Sequence, residues 1–275
     1  MIESAGAFAG RHVFMTGATG GIGSVVAGKL AREGCRISAV GRNKQRLADL
    51  EEFIENLGGK CRTIHVDLAE TDVAEGAVDA AEASFGPIDS AFLLAGSFPL
   101  SRIEAISEER IASAISLNLV SPIQLIRRIA SSMASKRGGK ICVTSSVAGL
   151  LPMPYLSVYS AAKSGLAMFC RSARPELRDI GVSLTCVAPR AVDTRFISAL
   201  RPIYDRLGWA IDSPETVAEI ILRSTALGKN LVIIGGIERF GAALSWISPD
   251  ITERILESMR RIIGNFLDGK SDEPD

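Results

Sequence analysis

Thr16-Gly17-Ala18-Thr19-Gly20-Gly21-Ile22-Gly23 follows a short β-like run from His12 and leads into a helical pattern over 25–33. The reading of this stretch decides the fold. Glycine takes backbone conformations closed to other residues, so such a turn can be tight and can bring main chain close to another group. The free N–H groups of the helix that follows attract negative charge. Alone, a glycine-rich turn can equally be a flexible loop. Set between a strand and a helix, it has the context of a cradle for a dinucleotide pyrophosphate.

The same alternation continues outward. Strand-like runs begin at His12, Arg36, Cys61, Ser90, Lys140, Val182 and Leu231, and helical patterns occupy 25–33, 44–57, 72–85, 108–135, 158–179 and 214–226. Short strands alternating with longer helices build a parallel sheet covered on both faces. The expectation is a Rossmann-type, doubly wound α/β fold of seven parallel strands over residues 1–235. Ser213-Pro214 reads as an N-cap followed by a first-turn proline. Residues 189–212 form a long connection, and long loops in compact domains are usually functional. Residues 236–275 read as a helical extension of the same domain.

Composition excludes several classes. Lys plus Arg equals Asp plus Glu, 31 each, so nothing points to nucleic acid as a partner. The five cysteines are scattered, with no CxxC and no histidine at ligand spacing, so no metal is expected and the thiols suit a reducing compartment. There is no basic segment followed by an apolar run at the start, and no run of about 18 apolar residues anywhere. The expected location is cytoplasmic.

After the second strand comes Val40-Gly41-Arg42-Asn43-Lys44, where an NAD-binding unit would carry an acid for the ribose 2′-OH. Arg42 suits a 2′-phosphate instead, which favours NADP(H); the alternative is a solvated surface charge. Tyr159 and Lys163 are four apart in a helical stretch and share a face. A nearby ammonium lowers a phenol pKa and makes it a usable proton donor and acceptor, although such a pair can also be plain surface. Ser146 closes the fifth strand, where the carboxyl ends of parallel strands form a ligand crevice, and its hydroxyl can bond a substrate oxygen. Asn118 has Pro122 four residues on, so its carbonyl loses its helical donor. That carbonyl can hold a water near Lys163, or the proline can simply kink the helix.

Together TGxxxGIG, the mid-helix Asn118, Ser146 and YxxxK resemble the compact branch of the short-chain dehydrogenase/reductase family over roughly residues 10–235. The resemblance implies Tyr159 as general acid/base, Ser146 positioning the substrate oxygen, and Lys163 lowering the tyrosine pKa while holding the nicotinamide ribose. It implies Asn118 as anchor of a proton-relay water. It implies cofactor contacts from Thr16, Gly17, Thr19, Gly20, Gly21, Ile22 and Gly23, and from Asp67 and Leu68 beside the adenine. Ala95 and Gly96 then fit against the cofactor, and Pro189, Val192 and Thr194 lie near the nicotinamide carboxamide. Homodimers or homotetramers are usual in the family. Three positions depart from its pattern: Leu93-Leu94 stands for Asn-Asn, Arg190 for glycine, and Pro175 interrupts the catalytic helix. Arg190 can reach a substrate anion, the cofactor phosphates or solvent, and Pro175 is expected to bend the helix.

The substrate is a small carbonyl compound or alcohol. The apolar segment 150–156, with Phe196, Ile197 and Leu200, is expected to line its pocket, which favours a hydrophobic ketone or secondary alcohol. A rival from another class is a cofactor-binding regulatory or scaffold protein without turnover. In the extension, Ser248-Pro249-Asp250 starts a helix whose stripe of Ile251, Ile255, Leu256, Met259, Ile262, Ile263 and Phe266 must be covered, with Arg254, Arg260 and Arg261 off it. The expected cover is the chain's own domain or a second subunit, roofing the pocket. The alternative is peripheral contact with a membrane, with Trp246 and the arginines at headgroup level.

Overall fold

Seven strands form one parallel sheet: β1 (His12–Thr16), β2 (Arg36–Gly41), β3 (Lys60–His65), β4 (Ser90–Leu93), β5 (Gly139–Thr144), β6 (Val182–Ala188) and β7 (Leu231–Ile233). Their order is β3-β2-β1-β4-β5-β6-β7. The computed structural model describes residues 6–268 except Thr71, Arg137 and Ala199. All five residues of β1 are buried, because helices cover both faces and leave the strand no polar side. Thr16 pairs with Val40 on one side and Leu93 on the other, so β1, β2 and β4 end level. The chain winds outward in opposite directions from β1 and β4, and the ligand crevice of such sheets opens at that reversal.

The helices are α1 (Gly21–Arg32), α2 (Lys44–Asn56), α3 (Val73–Phe85), α4 (Glu108–Ile115), α5 (Ser121–Ala134), α6 (Ser157–Asp179), α7 (Arg201–Leu207), α8 (Pro214–Ala226), α9 (Ile237–Ile247) and α10 (Pro249–Leu267). On one face α3, α5 and α6 pack through Val78, Ile129, Met133 and Leu166. On the other, α1, α2 and α8 pack through Val26, Leu30, Ile54 and Ile221. Ser213 caps α8 by accepting from Thr216 N–H.

Three features differ from expectation. The first helix begins at Gly21, inside the glycine-rich turn, because tertiary contact overrides the poor helix propensity of Gly21 and Gly23. The helix expected over 108–135 is three pieces, with a π-helical turn, Ser116–Val120, between α4 and α5. There the Ser121 N–H reaches back five residues to Ser116, and Pro122, which has no N–H to offer, sits in the first turn of α5. The helix expected over 158–179 runs as α6 to Asp179 with Pro175 inside it. The connection over 189–212 is no plain loop: it carries a 3₁₀ turn, Arg195–Ile197, and α7, closed at its base by pairing of Val192 with Asp212.

The extension folds as two helices, not one. Ser248 stands at the N-cap of α10, but its side chain makes no capping bond. From α10, Ile263 is buried against Leu200 and Ile203, while Phe266 is 40% exposed. Arg260 and Arg261 pair with Glu257. The side chains of Trp246, Ile251, Arg254 and Ile255 lie outside the described residues. Arg102, from the β4–α4 connection, pairs with Asp268 at 2.7 Å just past α10. Among the described residues, no helix is long and apolar enough to cross a membrane.

Candidate active site

The glycine-rich turn is built by exclusion of side chains. Gly17 has φ +70, and a Cβ there would lie 2.7 Å from Ala95 N and the Leu94 carbonyl carbon. A Cβ on Gly23 would run into the Gly17 carbonyl, and one on Gly21 into the Thr194 side chain. The turn therefore presses against the end of β4 and the β6–α8 connection. Gly20 caps α1 without a side-chain bond, and no acid occupies the first turn, so the N-terminal N–H groups remain free for an anion. A cavity of about 1080 Å³ passes this point, lined by Gly17, Thr19, Gly20, Gly21, Ile22 and Gly23. Thr16 is buried beneath it, its hydroxyl accepting from Ala95 N–H at 3.2 Å. These donors and this room fit a dinucleotide.

At one end the cavity meets Arg42, Asn43, Arg46, Asp67 and Leu68. Arg42 lies 3.6 Å from Asp67, and Asp67 itself accepts from Ala69 N–H at 3.0 Å. The structure thus brings together the two residues proposed for the 2′-phosphate and the adenine. Arg46 escaped the sequence reading. Asn43 caps α2 by accepting from Arg46 N–H, and that cap starts the helix so that Arg46 joins Arg42 on the cavity wall. The signal was the N-cap itself.

The catalytic candidates converge at the middle of the cavity. Ser146 accepts from Ala148 N–H at 3.1 Å, which fixes its side chain at the end of β5. Tyr159 is 6% exposed and boxed by two rings, with Phe98 at 5.3 Å and Phe196 at 6.2 Å between centroids. Burial pushes its phenol up to about 12, against a hydrogen bond with Ser146 that pulls it down. Lys163 does not act on the phenol as the i,i+4 spacing suggests. Its Nζ donates to the Thr144 carbonyl at 2.9 Å and lies 5.8 Å from the Tyr159 ring centroid. Burial lowers the lysine to about 8. Burial thus raises the phenol and lowers the amine, so Tyr159 is a neutral acid in this state.

Asn118 stands in the π-helical turn between α4 and α5. Its side chain is fully buried and grips the segment after β4: Oδ1 accepts from Ser97 N–H at 3.2 Å, and Nδ2 donates to the Ser97 and Ala114 carbonyls at 3.1 and 2.9 Å. A Cβ on Gly96 would lie 2.8 Å from Asn118 Oδ1 and 3.5 Å from Lys163 Nζ. Gly96 is thus the gap that lets Asn118 approach Lys163. Ala95, Pro189, Val192 and Thr194 complete the wall here.

Beyond Tyr159 the cavity becomes apolar. Leu151, Pro152, Met153 and Leu156 line it, as do Phe98, Phe196 and Ile197. Leu200 is instead buried against α10, and Leu150 packs on the sheet core. The far wall comes from the extension: Ile237, Gly241, Leu244, Thr252, Leu256 and Met259. The apolar stripe of α10 called for a cover, and roofing of this chamber was one of those expected. Arg190 stands on the cavity wall with its guanidinium engaged by carboxylates. It forms a bidentate pair with Asp212, at 2.8 and 3.0 Å, and lies 3.5 Å from Glu238. It ties the β6–α8 connection to α9.

A family model for short chain dehydrogenases matches residues 11–204. The chain belongs to that family. Among its relatives, the ketoacyl reductase HetN of Nostoc sp. is 30% identical over 259 residues, covering 90% of this chain and 88% of that protein. The 3-oxoacyl-[acyl-carrier-protein] reductase MabA of Mycobacterium avium is 31% identical over 70% of this chain and 72% of its own. The structure of L-sorbose reductase from Gluconobacter frateurii, complexed with NADPH and L-sorbose, superposes with a TM-score of 0.76 at 22% identity, over 83% of this chain and 96% of that one. A 3-oxoacyl reductase of Agrobacterium tumefaciens with NADP bound also gives 0.76 at 22%, over 86% and 98%. At such identities the two structures testify to the fold. As a short-chain dehydrogenase/reductase, the protein is an oxidoreductase acting on CH–OH groups with a nicotinamide dinucleotide. Among the described residues, no cluster of His, Cys, Asp and Glu could hold a metal.

Proposed function

We propose that this chain interconverts a ketone and a secondary alcohol on an apolar substrate with NADP(H). The observation that carries the reading is the juxtaposition of Ser146, Tyr159 and Lys163 at the point where the dinucleotide cavity opens into an apolar chamber. The nicotinamide supplies or accepts the hydride. In reduction, Tyr159, held neutral by burial, donates its proton to the carbonyl oxygen, and the Ser146 hydroxyl bonds the same oxygen and fixes its direction. Lys163 holds the ribose and Asn118 anchors the relay that returns a proton to the phenol. Arg42, joined by Arg46, reads the 2′-phosphate, with no acid after β2 to favour NAD(H). The chamber suits a flexible aliphatic ketone, and the names of HetN and MabA make a 3-oxoacyl compound the first class to try.

The test is NADPH oxidation over a panel of ketones, aldehydes and 3-oxoacyl thioesters, read beside NADP⁺ reduction with the matching alcohols. Turnover is expected to favour longer aliphatic substrates. Tyr159→Phe keeps the ring, loses the proton and is expected to slow turnover about 10²–10⁴-fold while NADPH still binds. Tight NADPH binding with no turnover on any substrate would favour a silent binding protein instead.

A further inference from the structure

The extension shows two kinds of apolar surface. On α10, Ile263 faces the domain and is buried, whereas α9 leaves a broad apolar face exposed. One side packs inward: Ala242 is buried, Gly241 lies against Leu151, and Ser245 donates to the Leu150 carbonyl at 3.2 Å. The other side carries Ile237, Phe240, Ala243, Leu244 and Ile247, which fall within one arc of about 120° at 100° per residue. Ile237, Phe240 and Ile247 are 86%, 78% and 80% exposed. A contiguous exposed apolar stripe of this kind is ordinarily a contact surface.

The position of this face says what covers it. Ile237 and Leu244 also line the substrate chamber, so the outer stripe runs over the rim into the cavity. Phe196, 41% exposed, is likewise on the chamber wall. Arg195, on the chamber wall, and Arg239, next to Phe240 in α9 and donating to the Ile233 carbonyl, are both exposed. A second copy seated on the stripe would cover Ile237 and Leu244 and close the mouth. A bilayer surface would bury the stripe, take the arginines among its headgroups and leave the mouth facing an apolar phase.

We propose that α9 is an interfacial docking helix, resting on an anionic phospholipid surface, and that the chamber opens toward that surface to admit aliphatic substrate. Docking itself requires no turnover, so it stands or falls separately from the proposed reaction; only the delivery of substrate rests on that reading.

The experiment is co-flotation of the full chain with vesicles of phosphatidylcholine, with and without phosphatidylglycerol. Phe240→Glu and Ile247→Glu are made alongside; both side chains are exposed and neither lines the cavity, so folding and turnover of a short soluble ketone are expected to stay as in wild type. Wild-type protein is expected to float with phosphatidylglycerol vesicles, and each variant to partition about tenfold more weakly or worse. Arg239→Glu is expected to lose the preference for phosphatidylglycerol. Wild-type protein that stays with the unbound fraction overturns the proposal. So does equal flotation of wild type and both glutamate variants, or dissociation of an oligomer by the variants with no change in flotation.

Discussion

The glycine-rich end of the cavity and its C-terminal end are built on opposite principles. At the first, side chains are absent because backbone must meet backbone: Gly17 against Leu94 and Ala95, Gly23 against Gly17. At the second, side chains are everything, and α9 and α10 form a wall from Leu244, Leu256 and Met259. A constraint on backbone leaves few residue choices and so writes itself into sequence. A constraint on packing accepts many apolar side chains and writes only a periodicity. The first end is therefore expected to break at single atoms, and the second to respond in small steps.

The largest effect is expected at the cradle. Gly23→Val places a branched side chain where even a methyl strikes the Gly17 carbonyl, so the turn must open. Cofactor affinity measured by fluorescence titration should fall about a hundredfold or more, roughly 3 kcal/mol, with the sheet core still folded. Retention of near wild-type affinity would show that the turn is softer than its contacts imply.

Lys163 sits between the two ends and tests the cost of the site itself. Its amine, lowered to about 8 by burial, opposes folding wherever it must be charged. Below pH 8 both folded and unfolded chains hold the proton, and the full cost is present. Between pH 8 and the ordinary lysine value the unfolded chain binds more protons, so wild-type stability rises with pH. Lys163→Met is expected to abolish turnover yet stabilise the fold by about 1–2 kcal/mol at neutral pH, the loss of the bond to Thr144 offsetting part of the gain. Thermal melts from pH 7 to about pH 10 should show that advantage shrinking. An advantage constant with pH would remove burial of the charge as its cause.

At the adenine end, Arg42→Ala is expected to erase about tenfold of the preference for NADPH over NADH, roughly 1.4 kcal/mol, when the two affinities are compared. Arg46→Ala should cost less, since it stands one helical turn behind. Equal wild-type affinity for both cofactors would show that neither arginine reads the 2′-phosphate.

How much of this was legible follows from the same contrast. The sheet, with β6 and α8 bounded as the pattern predicts, follows from hydrophobic periodicity and from capping at Ser213. The convergence of Ser146, Tyr159 and Lys163 as catalytic candidates was legible because they carry chemistry that few residues can replace. What Lys163 does in this state was not legible. Spacing puts its ammonium on the face of Tyr159 but cannot reveal that the Thr144 carbonyl captures it. The partner of Arg190 was not legible either, since Asp212 is brought near only by the closure of the β6–α8 connection. The π-helical turn at Asn118 was half legible. Pro122 announces a lost donor, but the extra residue in the turn shows only in three dimensions.

The smallest effect, and the sharpest contrast with the cradle, concerns Gly264 in α10. Tyr155, in the connection between β5 and α6, has φ +63, a conformation uncommon for a residue with a side chain. It is moored there by the Arg102 guanidinium, 5.5 Å from its ring centroid, and Arg102 is in turn held by Asp268. Its hydroxyl occupies the space that a Cβ on Gly264 would need. Glycine inside a helix otherwise costs about 0.5–1 kcal/mol relative to alanine, so its presence here is a concession to Tyr155. Gly264→Ala in the wild-type background is expected to destabilise by about 1 kcal/mol and to raise KM about threefold for long substrates, because Met153 and Leu156 flank Tyr155 and line the chamber. In a Tyr155→Phe background the hydroxyl is gone and the nearest remaining ring atom lies 3.4 Å from the new methyl, an ordinary contact. There the same substitution should change sign and stabilise by about 0.5–1 kcal/mol, the full helix-propensity gain. A double-mutant cycle of melts and KM values measures both arms. If Gly264→Ala has one sign in both backgrounds, α10 does not grip Tyr155, and the C-terminal wall covers the chamber without positioning it.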